Sequence, residues 1–139
     1  MKQITPYLFF DGNCREVMTF YRECFEGKLD LMTVGDSPMA DKMPEMKDRV
    51  MHAAITVGDQ LVVMASDTML PGQKADMGEG VYNTIICDSR AELETLFHKL
   101  TDGGTVNMPI EDAFFGTMGS LTDKFGVKWN KKRKKDFSM

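Results

Sequence analysis

An offset of 76 residues constrains this chain more than any other feature. Asn13-Cys-Arg-Glu16 and Ser89-Arg-Ala-Glu92 are both capping-box patterns, and Gly27 and Gly103 each follow at the same distance. In such a box the cap side chain accepts from the first turn's N–H groups while the glutamate reaches back, so each pattern announces a helix. Val17, Phe20, Tyr21, Cys24 and Phe25 then recur at helical spacing, as do Leu93, Leu96, Phe97 and Leu100. Phe20 and Tyr21 fall on Leu96 and Phe97 at that offset, so the chain is read as an internal duplication. Gly27 and Gly103 are the expected left-handed stops, because glycine accepts positive φ without a Cβ clash.

Strands complete each copy. Upstream of the helices lie Ile4 to Phe10 and Val81 to Cys87, apolar and aromatic runs expected to match at the same offset. Downstream of the first helix come Lys28 to Val34, Val50 to Val57, the turn Gly58-Asp59, and Gln60 to Ala65. Downstream of the second come Thr105 to Met108, Phe115 to Leu121, a turn at Lys124 to Gly126, and Val127 to Lys131. The fold class is therefore α+β: two βαβββ modules, each a half-sheet with one covering helix, curling around a cavity. The modules are residues 1–69 and 81–132 of a single domain, joined by a linker at 70–80 and followed by a basic tail at 131–139. Asp36 to Arg49, with Pro38 and Pro44, reads as a mobile flap between strands.

Charge and cysteine usage narrow the function classes. A net charge of −4 argues against a general nucleic-acid surface, and the run Lys131, Lys132, Arg133, Lys134, Lys135 reads as a solvated tail. Cys14, Cys24 and Cys87 form no CxxC pair, which suggests reduced thiols, neither disulfides nor a zinc knuckle. No apolar run approaches the ~20 residues of a membrane helix. The N-terminus MKQITPYLFF lacks the pattern of a signal peptide, so a cytoplasmic location is expected, with no membrane partner.

Candidate site residues follow from strand alternation. In VMHAAITV, Met51, Ala53, Ile55 and Val57 share the helix-facing side, while His52, Ala54 and Thr56 share the other, where an imidazole could meet a ligand. His98 sits on the polar side of its helix. Glu111 and Asp112 read as loop residues and Asp123 as part of a solvated turn, poorly placed for paired acid–base work. Phe114, Phe115, Met118, Leu121, Val127 and Trp129, with Met64 and Met108, form the natural lining of an apolar pocket. A plain core explains them equally well, but the indole N–H of Trp129 beside Asn130 would want a partner or a ligand.

Three stretches carry a resemblance: PYLFFDGNCREVMTFYRECFEGK, VMHAAITVGDQLVVMASD and LFHKLTDGGTVNMPIEDAFFGTMGSLTDKFGVKWN. Together with the duplicated plan they resemble the PhnB-like branch of the vicinal oxygen chelate superfamily, which includes glyoxalase I, extradiol dioxygenases and bleomycin-resistance proteins. The branch often carries the label of a demethylubiquinone methyltransferase, although no glycine-rich nucleotide loop is present. The resemblance implies a homodimer, and puts the metal-ligand positions of the superfamily's enzymes near Pro6, His52, Tyr82 and Asn130. Of these only His52 is a good donor, where about three are needed. By the same pattern, the Leu8 and Phe10 face of the first strand points to the cavity.

The expected function is binding of a small organic molecule without a complete metal site and with no cofactor. His52, Phe10, Met64, Phe114, Phe115, Met118, Trp129 and Asn130 are the expected contacts. The alternatives are a divalent-metal lyase, isomerase or dioxygenase that recruits Glu111 or Asp112, and a resistance protein that sequesters an aromatic compound.

Overall fold

The computed structural model describes residues 1–69 and 74–134. The chain divides into two compact units, Met1–Asp76 and Met77–Met139. The first contains β1 (Tyr7–Phe10), α1 (Cys14–Phe25), β2 (Lys28–Thr33), β3 (Val50–Val57) and β4 (Gln60–Asp67). The second contains β5 (Asn83–Ile86), α2 (Arg90–Thr101), β6 (Thr105–Ala113), β7 (Gly116–Thr122) and β8 (Lys128–Lys134). Each unit is a four-stranded mixed sheet with one helix, in the order β1-β4-β3-β2 and β5-β8-β7-β6. The expected βαβββ plan is thus present twice.

In the first unit, Val17, Met18, Tyr21 and Cys24 of α1 are buried against the sheet, whose Ala53 and Ile55 are fully covered. In the second, Leu93, Phe97 and Leu100 of α2 serve the same purpose over Leu121. Val17, Tyr21 and Cys24 match Leu93, Phe97 and Leu100 at the offset of 76. β1 and β5 also fall at that offset, with three residues between each strand and its helix, but their facing differs: Phe10 is 3% exposed, whereas its match Ile86 is 61% exposed and Cys87, one place on, is buried. Gly12 in the first link has φ +92.

The helix exits are also one residue out of step. Glu26, with φ 53, takes the left-handed position expected of Gly27, and Gly103, with φ 77, takes it in the second unit. Gly27 is needed for another reason: a Cβ there would stand 2.7 Å from the Thr56 carbonyl oxygen of β3. Gly104 is its counterpart, pressed against the Thr122 carbonyl of β7.

Two buried aspartates fasten the reversals. Asp67, 2% exposed, accepts at Oδ1 from the Gly12 N–H (2.9 Å) and the Cys14 N–H (3.0 Å), and at Oδ2 from the Val50 N–H (2.8 Å). Asn13 therefore makes no side-chain cap on α1; a carboxylate from β4 does that work instead. Ser89 caps α2 as expected, accepting from the Glu92 N–H. Asp123 is not solvated but 3% exposed, and it accepts from the Phe125 N–H, the Val127 N–H and the Trp129 Nε1–H.

Three further expectations are corrected. Lys131–Lys134 lie in β8, with Lys131 fully buried, and are not tail; residues 135–139 are outside the described residues. Residues 70–73 of the expected linker are also outside them. Glu111 and Asp112 belong to β6, where Asp112 holds Arg90 of α2 at 2.9 Å, and Phe114 and Phe115 form the tip between β6 and β7. The flap is anchored at its base, where Arg49 donates to the Thr68 carbonyl (3.0 Å) and pairs with Asp11 (3.3 Å).

Candidate functional site

Pairing decides which side chains share a face. β1 runs parallel to β4 with Tyr7 beside Met64 and Phe9 beside Ser66, while β3 sets Ala54 opposite Met64. On the other flank, Met32 of β2 stands opposite His52. The face turned away from α1 therefore carries Tyr7, Phe9, Met32, His52, Ala54 and Met64, with Asp30 of β2 opposite Ala54. Tyr7 and Phe9 lie with ring centroids 5.2 Å apart, and the imidazole of His52 is 6.2 Å from the Tyr7 ring. Both distances fall in the range at which aromatic rings attract one another. These rings are not core: Tyr7 is 39% exposed, Phe9 47% and Met32 40%.

The aromatic face of β1 is thus the opposite of the expected one. Tyr7 and Phe9, assigned to the helix side from the family pattern, are open, and Phe10 is buried. β1 and β5 stand equally far from their helices yet present opposite phases, and local alternation alone cannot show which phase such a strand takes.

In the second unit the face turned away from α2 carries Thr84, Ile86, Met118, Ser120, Lys128, Asn130 and Lys132, from the pairings of β5, β7 and β8. Trp129 and Leu121 point the other way, at 4% and 0% exposure, with Val127 also buried at 3%. The indole N–H that was expected to seek a ligand is bonded to Asp123 Oδ2 at 2.9 Å, so Trp129 is a core residue. Lys131 Nζ lies 6.0 Å from its ring centroid, a cation–π distance. Phe114 is 73% exposed at the hairpin tip and meets Phe115 edge-on at 5.2 Å.

Of the expected contacts, the structure places His52 and Met64 together on one open face, and Met118 and Asn130 together on the other. It withdraws Phe10 and Trp129 into the cores. Tyr7, Phe9 and Met32 are residues that the expected set lacked. The clustering of aromatics in YLFF was visible; their facing was not.

A three-ligand metal centre needs about three donors, and around His52 the face offers the Tyr7 phenol, thioethers and a methyl group, with the Asp30 carboxylate, opposite Ala54, the nearest acidic group by pairing. Among the described residues, no group of three or more His, Cys, Asp or Glu could hold a metal ion. At the β1–α1 turn the N–H groups of Gly12 and Cys14 are taken by Asp67, so that turn has neither to offer to a bound anion.

The cysteines are buried and unactivated. Desolvation first, and the Asp67 charge second, push the Cys14 thiol from 9.0 up to about 12 against the opposing pull of Arg15. Burial and Glu92 likewise raise Cys87, with Lys131 opposing. Neither is a nucleophile near neutral pH.

Comparison with known proteins agrees with this architecture. The model of the family described as 3-demethylubiquinone-9 3-methyltransferase matches residues 2–131. Protein YjdN of Escherichia coli (strain K12) is 28% identical over 139 residues, covering 91% of each chain. The crystal structure of protein PA1353 from Pseudomonas aeruginosa is 40% identical, with a TM-score of 0.83, and the match covers 98% of this chain and all of that one. The PhnB protein from Bacillus cereus is 26% identical, with a TM-score of 0.72 over 95% of this chain and 99% of its own. The PhnB-like resemblance carried by the sequence is the one that these comparisons return.

Proposed function

The chain belongs to the family described as 3-demethylubiquinone-9 3-methyltransferase, and from that membership we propose that it binds a small organic molecule with an aromatic portion on the face of β1, β3 and β4 turned away from α1. One observation carries the reading: Tyr7 and Phe9 are exposed at 39% and 47% on a sheet face they share with His52. Large apolar side chains left together on one face mark a binding surface more often than an ordinary exterior. Tyr7 and Phe9 offer ring faces for stacking, Met32 and Met64 flexible thioether contacts, and His52 a hydrogen bond that orients the ligand. No metal or methyl-donor step is part of the proposal.

Thermal-shift screening against planar aromatic compounds tests the reading. At least one compound should raise the melting temperature of the native protein, and Phe9→Ala should abolish the shift while leaving the unliganded melting temperature nearly unchanged. A screen without a shift, or a shift indifferent to Phe9→Ala, counts against it.

The same reading includes a cytoplasmic homodimer. No helix among the described residues is long and apolar enough to cross a membrane, which is compatible with that location. Light scattering after size exclusion should give twice the chain's 15.7 kDa, and 15.7 kDa at micromolar concentration would remove the dimer from the proposal.

A further inference from the structure

The second unit's open face has a different chemistry from the first. Along β8, Lys128, Asn130 and Lys132 alternate with buried Trp129 and Lys131, so their side chains share the side turned away from α2. Each stands about 7 Å from the next along the strand, so Asn130 lies midway between two lysines whose Cα atoms are about 13 Å apart. Asn130 is flanked by hydroxyls on both neighbouring strands, since its pairing partners are Thr84 of β5 and Ser120 of β7. The two lysines are held in place: Lys128 Nζ donates to the Gly78 carbonyl at 3.0 Å, and Lys132 Nζ lies 5.6 Å from the Phe115 ring centroid. On this face Glu111 is the nearby carboxylate by pairing, and Met118 stands between it and Lys132.

We propose that Lys128, Asn130 and Lys132, with the Thr84 and Ser120 hydroxyls, form a binding site for a small oxyanion, a phosphoryl or carboxylate group. Two positive charges, one on either side of Asn130 along the strand, attract the anion, and an amide and two hydroxyls between them supply hydrogen bonds of the directional, charge-assisted kind. Neither Tyr7 nor His52 takes part, so the inference goes beyond the aromatic reading of the first unit and does not rest on it. A basic strand on a chain of net charge −4 also favours a local anion site over a long polyanion, which would meet repulsion elsewhere.

The test is an NMR titration of the full chain with inorganic phosphate and, separately, benzoate, at constant ionic strength balanced with chloride. Saturable shifts of the Thr84, Ser120 and Asn130 amides are expected with at least one of them. Tighter binding of phosphate assigns the phosphoryl source, and tighter binding of benzoate the carboxylate. Lys132→Gln should weaken binding about tenfold or more. Lys132 is half-exposed, so the variant should fold; Asn130→Ala, expected to weaken binding with the melting temperature preserved, provides a second reading. Tyr7→Ala should leave anion binding unchanged, which separates failure here from failure of the aromatic face. Shifts that never saturate, that chloride reproduces, or that Lys132→Gln and Asn130→Ala leave intact would overturn the site. So would an oligouridylate that binds far more tightly than either anion, which would assign the face to nucleic acid.

Discussion

Asp67→Ala should cost about 3–5 kcal/mol of unfolding free energy in urea, because the N–H groups of Gly12, Cys14 and Val50 would lose one acceptor together. The site is nearly closed to water at 2% exposure, so solvent cannot replace the carboxylate fully. Asp67→Asn separates charge from shape. Its carbonyl oxygen can still serve Gly12 and Cys14, but its NH2 would face the Val50 N–H, donor against donor, for a loss of about 2 kcal/mol. The same variant has a titration signature. Asp67 is the second cause holding Cys14 near 12, so removing its charge should lower that pKa and let the thiol react with disulfide reagents at less alkaline pH. The sign for the native protein follows from linkage. A thiol raised on folding contributes its full stability below 9.0, and this is lost as pH rises from there through about 12. An Asp67→Ala loss below 1 kcal/mol would show that the helix start is held by something else.

Gly104→Ala should be nearly as damaging, at about 3 kcal/mol or more, through backbone collision and not through lost conformational freedom. The added Cβ would run into the Thr122 carbonyl and come within 2.9 Å of Asp123 backbone atoms, and no rotamer relieves contacts made by main chain. Gly58→Ala is the control. Gly58 has φ +60 with nothing within 4 Å of a built Cβ, so it should lose only about 1 kcal/mol from the left-handed conformation. Urea midpoints of both variants decide the matter, and equal losses would mean that close approach at Gly104 is not what glycine is there for.

Local signals in the sequence reached a definite depth. Both helices were legible because apolar spacing repeats within each and Ser89 really caps the second. β3 was legible to its ends and in its facing, since VMHAAITV separates small and polar residues from large ones. The facing of β1 was not, because YLFF has large apolar side chains in both phases. The cap at Asn13 failed for a related reason. Its place is taken by Asp67, a residue 53 positions from Cys14, and no local pattern reports such a partner. β8 hid itself in charge. Val127 to Lys131 reads as a strand, but KKRK reads as a solvated run, whereas the strand continues to Lys134 and burial of Trp129 and Lys131 splits it into a core face and a polar face. Once Trp129 is tied to Asp123, the open faces separate into an aromatic one, led by Tyr7 and Phe9, and a cationic one along β8.

Amide chemical-shift mapping with an aromatic compound identified by thermal shift tests most directly whether ligand binding uses the open face of the first sheet. The account predicts saturable perturbations centred on Tyr7, Phe9, His52 and Met64, with α1 little affected. Perturbations centred on α1 and its buried contacts, leaving those four residues unmoved, would contradict it.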